Sequence, residues 1–192
     1  MFEQYRNKFP LDDAKWVEYT NCFKRMEVPT KTVLIHEGDI SNKTFLIEKG
    51  CIRAFFNNAG KDVTLQFFFE NNIVASIESF RKQLPSLAAI ETIEPSILWV
   101  IQKKDFDRII HEITEIPLLR DKVIDTIFER TYVYMKHHFS FINDTPQQRY
   151  LNLIKDMPQV IQRIPQHYIA SYLGVSTVHL SRIKSKILKD KH

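Results

Sequence analysis

Residues 164–184 read IPQHYIASYLGVSTVHLSRIK, the pattern of two short helices joined by a tight turn. Ala170 stands where two helices must approach closely, and a larger side chain would push them apart. Gly174 follows four residues later, where the chain has to turn through a conformation that glycine adopts without a Cβ clash. Ser176 is placed to cap the second helix by accepting a backbone N–H. Ile169, Leu173, Val175, Leu180 and Ile183 supply an apolar seam between the helices. The opposite face of the second helix keeps Thr177, His179, Arg182, Lys184 and Lys186. That is a rigid rod of hydrogen-bonding and cationic groups, the equipment needed to read a DNA major groove.

Charge sharpens this reading. From residue 163 to the end, Arg163, Arg182, Lys184, Lys186, Lys189 and Lys191 stand against Asp190 alone. The whole chain of 192 residues carries only +4, so the basic excess is confined to the end that holds the helical hairpin. A basic patch attracts phosphates whatever the base sequence.

Composition sets the outer bounds. The chain is 44% hydrophobic and 26% charged, ordinary for a globular protein with its own core. Its longest apolar runs, such as FFF at 67–69, are far too short for a membrane span. The start, MFEQYRNKF, has no apolar stretch behind its charges, so no secretory signal is read and no membrane partner is expected. Two cysteines, Cys22 and Cys51, make no disulfide framework and are read as small buried side chains in a cytoplasmic, reducing setting.

Working back from the hairpin, Thr145-Pro146-Gln147-Gln148 resembles a capping box with proline at the first helical position. The spacing predicts a helix from there to about Met157, with Tyr150, Leu151 and Ile154 inward. Pro117 opens a longer helix to about Phe141, whose broad apolar stripe suits both the rest of the fold and a second copy of itself. KKDFDRIIHEI, starting at 103, is a short helix with Phe106, Ile109 and Ile110 inward. Between 31 and about 101 lie short β-rich runs: TVLI, TFLIE, CIRAFF, VTLQFFF, LAAIETI and ILWVI. Gly38, Gly50 and Gly60 fall between them, and NNAGK at 57–61 joins CIRAFF to VTLQFFF as a hairpin. Strands at this spacing make a sandwich, barrel or jelly roll. Residues 12–26, with Trp16, Tyr19, Phe23 and Met26 at helical spacing and Asp12 as cap, predict one amphipathic helix.

In this order, helix, roll, long helix, capped helix and basic helix-turn-helix resemble the cyclic-AMP receptor/FNR superfamily of bacterial transcription regulators. VLIHEGD at 33–39, FLIEKGCIR at 45–53 and the helix-turn-helix carry the resemblance. It implies an α+β chain with a cyclic-nucleotide-binding-like β-roll over residues 1–115, including the N-terminal helix. A dimerisation helix spans 116–142 and a helix-turn-helix DNA-binding domain 143–192. It also implies a homodimer on double-stranded DNA and a contact with RNA polymerase. The DNA-contacting candidates are Ser176, Thr177, Val178, His179, Ser181, Arg182, Lys184 and Lys186. Arg182 falls where the family places an arginine that reads a guanine edge, and Thr177 and Val178 where other members carry base-reading residues.

Two departures from the family pattern are specific. The stretch NNIVASIESFRKQLPSLAAIE at 71–91 corresponds to the cassette that holds a cyclic phosphate. Ala75 and Ser76 replace its Gly-Glu, and Pro85 precedes Ser86 where an arginine belongs. A buried phosphate needs a cation or several N–H donors, so cyclic AMP is not the expected ligand. For an unidentified small-molecule effector the candidates are Ser76, Glu78, Ser79, Arg81 and Ser86, with Tyr132 approaching from the long helix. Second, only ten residues follow Arg182, and no wing is evident after the reading helix.

Other chemistries fit poorly. His36 is the one histidine within the roll, whereas a metal site on strands needs two or three imidazoles, so no metal is expected. His137 and His138 are neighbours on a helix, point about 100° apart, and are read as polar surface or dimer-seam residues. An iron–sulfur sensor needs about four sulfur ligands. No catalytic constellation or cofactor loop stands out, so an enzyme is not expected. The alternatives are a metabolite- or nucleotide-binding module acting through protein partners, and a regulator whose roll no longer takes an effector.

Overall fold

The structure, a computed structural model, describes residues 2–189; Asp190 and Lys191 of the basic run lie outside the described residues. The chain opens with a 3-10 helix, Phe2–Lys8, and helix α1, Asp13–Asn21. Eight strands follow: β1 (Lys24–Val28), β2 (Val33–Ile35), β3 (Lys43–Lys49), β4 (Ile52–Asn58), β5 (Lys61–Phe68), β6 (Ile73–Val74), β7 (Ala89–Thr92) and β8 (Ser96–Gln102). A short helix α2, Ile77–Lys82, sits between β6 and β7. Helices α3 (Lys103–Thr114), α4 (Pro117–Asn143), α5 (Pro146–Asp156), α6 (Gln159–Arg163), α7 (Gln166–Tyr172) and α8 (Thr177–Lys189) complete it.

Two four-stranded sheets, ordered β1-β8-β3-β6 and β2-β7-β4-β5, form the roll. Residues 44–47 of β3 and all of β7 are buried without alternation, as expected for strands covered on both faces. Phe45, Ile47, Ile52, Ile90 and Leu98 make the centre of the core, and the three phenylalanines at 67–69 are buried as well. The β4–β5 turn holds Ala59 and Gly60 at φ +50° and +82°, the positive values that a two-residue hairpin loop requires. Gly50 is fixed differently: a Cβ there would lie 2.2 Å from Ser96 Oγ and 2.9 Å from Ser96 Cα, at a φ of +114°. One ion pair is inside this roll, where Arg53 Nε and an Arg53 terminal nitrogen donate to Glu91 Oε2 at 2.8 and 2.7 Å.

The chain divides into two compact units, Met1–Arg53 with Phe67–Phe128, and Ala54–Gln66 with Glu129–His192. The division falls within α4. In the first unit, Tyr19, Ile113 and Leu119 form a second small core, with Ile109 and Val123 against it. In the second, the hairpin tip is tied to α7: the Thr64 N–H donates to Ser171 Oγ at 2.9 Å, and the Ser171 hydroxyl donates to the Asp62 carbonyl at 2.9 Å.

Several sequence expectations need correction. The predicted helix over 12–26 stops at Asn21, and Phe23 and Met26 do not continue it. Residues 24–28 instead pair antiparallel with 96–100, a long-range ladder that outweighs the local 3.6-residue spacing. In α5 the buried positions are Tyr150 and Leu153, while Leu151 faces out. Cys51 is buried, but Cys22 is only partly so, with its sulfur 3.3 Å from an Arg108 guanidinium nitrogen. His137 is half-buried, neither a free surface side chain nor on the exposed stripe of α4. Its ring stacks on Tyr172 with centroids 4.7 Å apart and planes 7° from parallel, because α7 packs over this part of α4.

Candidate DNA-binding site

The turn between α7 and α8 is built by its own backbone. Gly174 N–H donates to the Ser171 carbonyl at 3.0 Å, and Val175 N–H to the Ala170 carbonyl at 3.0 Å. This is the paired closure of a Schellman motif, and it needs the φ of +68° that Gly174 has. Ser176 caps α8: its Oγ accepts the His179 N–H at 3.1 Å, and its carbonyl accepts the Leu180 N–H at 2.9 Å. Ile169, Leu173, Leu180 and Ile183 of the predicted seam are buried, as is Ala170, while Val175 is half-buried; the two helices are locked along this seam.

That lock fixes what α8 presents outward. Ser176, Thr177, Val178, His179, Ser181, Arg182 and Lys186 are exposed, and Lys184 is half-buried. No acidic residue occurs from 177 to 189. A concave surface of about 640 Å³ gathers Ser176, Val178, His179, Arg182 and Lys186 beside Thr145, Pro146 and Gln147. Thr177, Ser181 and Lys184 do not line it. Thr145 caps α5 by accepting the Gln148 N–H at 3.2 Å, and the start of α5 at Pro146 and Gln147 borders the cationic face. The sequence marks this cap as a helix start but does not show that it borders α8.

The effector candidates fall apart into separate settings. Ser76 and Ser86 meet: the Ser86 hydroxyl lies 2.7 Å from Ser76 Oγ and 2.6 Å from the Ala88 carbonyl. Ser79 is buried, where its Oγ accepts the Ser41 N–H at 2.8 Å and lies 3.3 Å from the Asp39 carbonyl. Glu78 pairs with Lys82 at 2.9 Å on the exposed side of α2, and Arg81 is an exposed side chain 4.0 Å from Asp107. Tyr132 belongs to the other compact unit and is exposed on α4. Among the described residues, no three His, Cys, Asp or Glu side chains gather as a metal site, and no helix is long and apolar enough to cross a membrane.

Residues 25–112 match the family described as the cyclic nucleotide-binding domain. No curated protein matches the chain. Solved structures resemble it over nearly its full length. FixK2 from Bradyrhizobium japonicum has a TM-score of 0.74 at 11% identity, covering 88% of this chain and 86% of its own. CLP, a c-di-GMP-responsive global regulator of Xanthomonas campestris, has a TM-score of 0.72 at 14% identity, covering 93% of each chain. A CooA mutant from Carboxydothermus hydrogenoformans gives 0.69 at 14% identity, covering 90% of this chain and 79% of that one. At these identities the likeness is one of fold. The match to the cyclic nucleotide-binding domain is confined to residues 25–112, and the chain as a whole shares its fold with these solved structures.

Proposed function

We propose that the protein is a dimeric, sequence-specific DNA-binding transcription regulator of the cytoplasm, with α8 as its reading helix, and not an enzyme. The observation that carries this reading is the exposed, acid-free face of α8, held rigidly by a buried seam and a capped turn. Arg182 donates to a guanine edge. Thr177, Val178, His179 and Ser181 meet neighbouring bases, and Ser176, Lys184 and Lys186 meet the backbone. Dimerisation is supported by one stripe of α4. Phe128, Tyr132, Met135, Phe139 and Ile142 follow an alternating four-three spacing, and each is more than half exposed. Such a spacing supports a two-stranded coiled coil between two copies. On this reading Tyr132 belongs to a dimer interface in preference to an effector pocket. The engaged hydroxyls of Ser76, Ser79 and Ser86 favour a roll that serves as scaffold. Contact with RNA polymerase belongs to the same reading.

Selection of bound sequences from random duplex DNA tests it. The expected product is a near-palindrome with half-sites about one helical turn, near 34 Å, apart. Arg182→Ala should cost about 1–3 kcal/mol and relax preference at one base pair per half-site. Lys186→Ala should weaken all sequences alike and reduce the salt slope by about one. Failure to enrich any sequence would support the alternative, a module that works through protein partners.

A further inference from the structure

Where α7 meets the second half of α4, a groove of about 460 Å³ runs past Val133, His137, Phe141, Arg149, Tyr172 and Leu173. His137 lies in its wall between two rings. One face stacks on Tyr172 from α7, and its ring meets Phe141, one turn along α4, at 5.0 Å and 86°. Arg149 from α5 lies 4.8 Å from the centre of that same Phe141 ring. Its terminal nitrogens donate to the carbonyls of Asp144 at 3.0 Å, Phe141 at 3.4 Å and Leu173 at 3.1 Å. Arg149 thus ties the end of α4, the α4–α5 joint and the turn of the helix-turn-helix together. His137 Nε2 and Arg149 Nε are buried and have no hydrogen-bond partner among the described residues.

The charges around the imidazole offer an added proton no welcome. From α4 come Lys136 and His138, and from α5 come Arg149 and Asp156. Asp156 accepts from Lys136 at 2.8 Å, and Asp144 accepts from Ser140 and Asn152 at 2.5 and 2.9 Å. Burial pushes the Tyr172 hydroxyl up to about 12, with Asp156 adding to it, so α7 brings no anion to the ring at any ordinary pH. An imidazolium must carry a proton on Nε2, and that proton finds no acceptor. Burial first, then the positive charges of Arg149 and His138, hold His137 below its ordinary value.

We propose that His137 is an acid-sensing joint: protonation of its ring releases α7, and with it α8, from the second half of α4 and from α5. Protons bind better to the state in which the ring has reached water, so acid shifts the population toward it. The regulatory consequence, loss of matched reading helices below neutral pH, rests on the DNA-binding reading above; the joint itself does not.

The test uses the full chain. Histidine ring resonances, with that of His137 assigned by its loss in His137→Phe, are followed from pH 7.5 to 5 without DNA. The phenylalanine keeps the ring stack and removes both nitrogens. The expected result is a His137 midpoint below those of the exposed histidines, with loss of cross-ring contacts to Tyr172 as it titrates. Affinity for a selected duplex should then fall by up to about tenfold per pH unit for each protomer, and His137→Phe should abolish that fall. A midpoint at or above the ordinary value, or Tyr172 contacts that persist through the titration, overturns the joint. The wild-type titration decides this even if the variant fails to fold. Release of α7 with no DNA selected at any pH would overturn the regulator reading and leave the joint standing.

Discussion

The two compact units treat their buried polar groups in opposite ways. In the first, Ser41, Ser79, Ser86 and Thr92 have hydrogen-bond partners, and Arg53 is matched to Glu91. Its one buried side-chain atom without a hydrogen bond among the described residues is Asp107 Oδ1, which lies 4.0 Å from an Arg81 guanidinium nitrogen and whose twin oxygen accepts from Lys103 at 2.6 Å. In the second unit, two buried nitrogens, His137 Nε2 and Arg149 Nε, have no hydrogen-bond partner among the described residues. A satisfied interior resists rearrangement, because any shift exposes groups at a cost of about 1–3 kcal/mol each. An unsatisfied one has less to lose. The difference places rigidity in the roll and adjustability behind α8.

Glycine substitutions probe that contrast most strongly. Gly50→Ala drives a Cβ into the side chain and backbone of Ser96, where the strand cannot yield. We expect a loss of about 3–5 kcal/mol in chemical denaturation. Tryptophan emission reports it, since both tryptophans of the chain, Trp16 and Trp99, lie in the first unit. Gly174→Ala meets a softer neighbour, with its Cβ 3.3 Å from Phe141 Cε1 and a φ of +68°. There the expected cost is about 1–2 kcal/mol, mostly backbone strain, read by the loss of α7 and α8 amide protection. Equal penalties at the two sites would break the contrast.

What the sequence disclosed follows the same line between local and distant causes. The α7–α8 turn was legible because Gly174, Ser176 and the seam all act within twenty residues. The β4–β5 hairpin was legible from Asn57 to Lys61 for the same reason. Residues 24–28 were not, since only a partner seventy residues away makes them a strand. His137 was missed because Tyr172, which covers it, lies thirty-five positions later. Ser76 and Ser86 stand out in the sequence only as effector candidates, and neither their hydrogen bond nor the short helix α2 between them was legible. Its six residues are too few to show a period. The exposed cationic set on α8 was readable as a helix face, whereas its neighbour Gln147 required the folded α5.

Acid offers the finest comparison, because each unit holds a titrating group that works in its own window. In the first unit, Glu112 accepts from Lys15 Nζ and the Tyr19 hydroxyl, each at 2.8 Å, and from Arg108 at 3.1 Å. Those hydrogen bonds, Lys15 first, hold its carboxyl down to about 2. Folding favours the ionised form, so this contribution is complete above the ordinary carboxylate value near 4.5 and drains away as pH falls toward 2. His137 has the opposite preference. Folding favours its neutral form, so its contribution is complete above about 6.5 and declines as pH falls below that. Acid should therefore reach the second unit first. Amide exchange in α7 should quicken between pH 6.5 and 5 while tryptophan emission stays constant, and emission should change only below about 4.5. Glu112→Gln should remove part of the later step and leave the earlier one in place. A single transition seen by both probes would mean that the two interiors are coupled, and that the roll's satisfied network and the open joint behind α8 answer to acid as one.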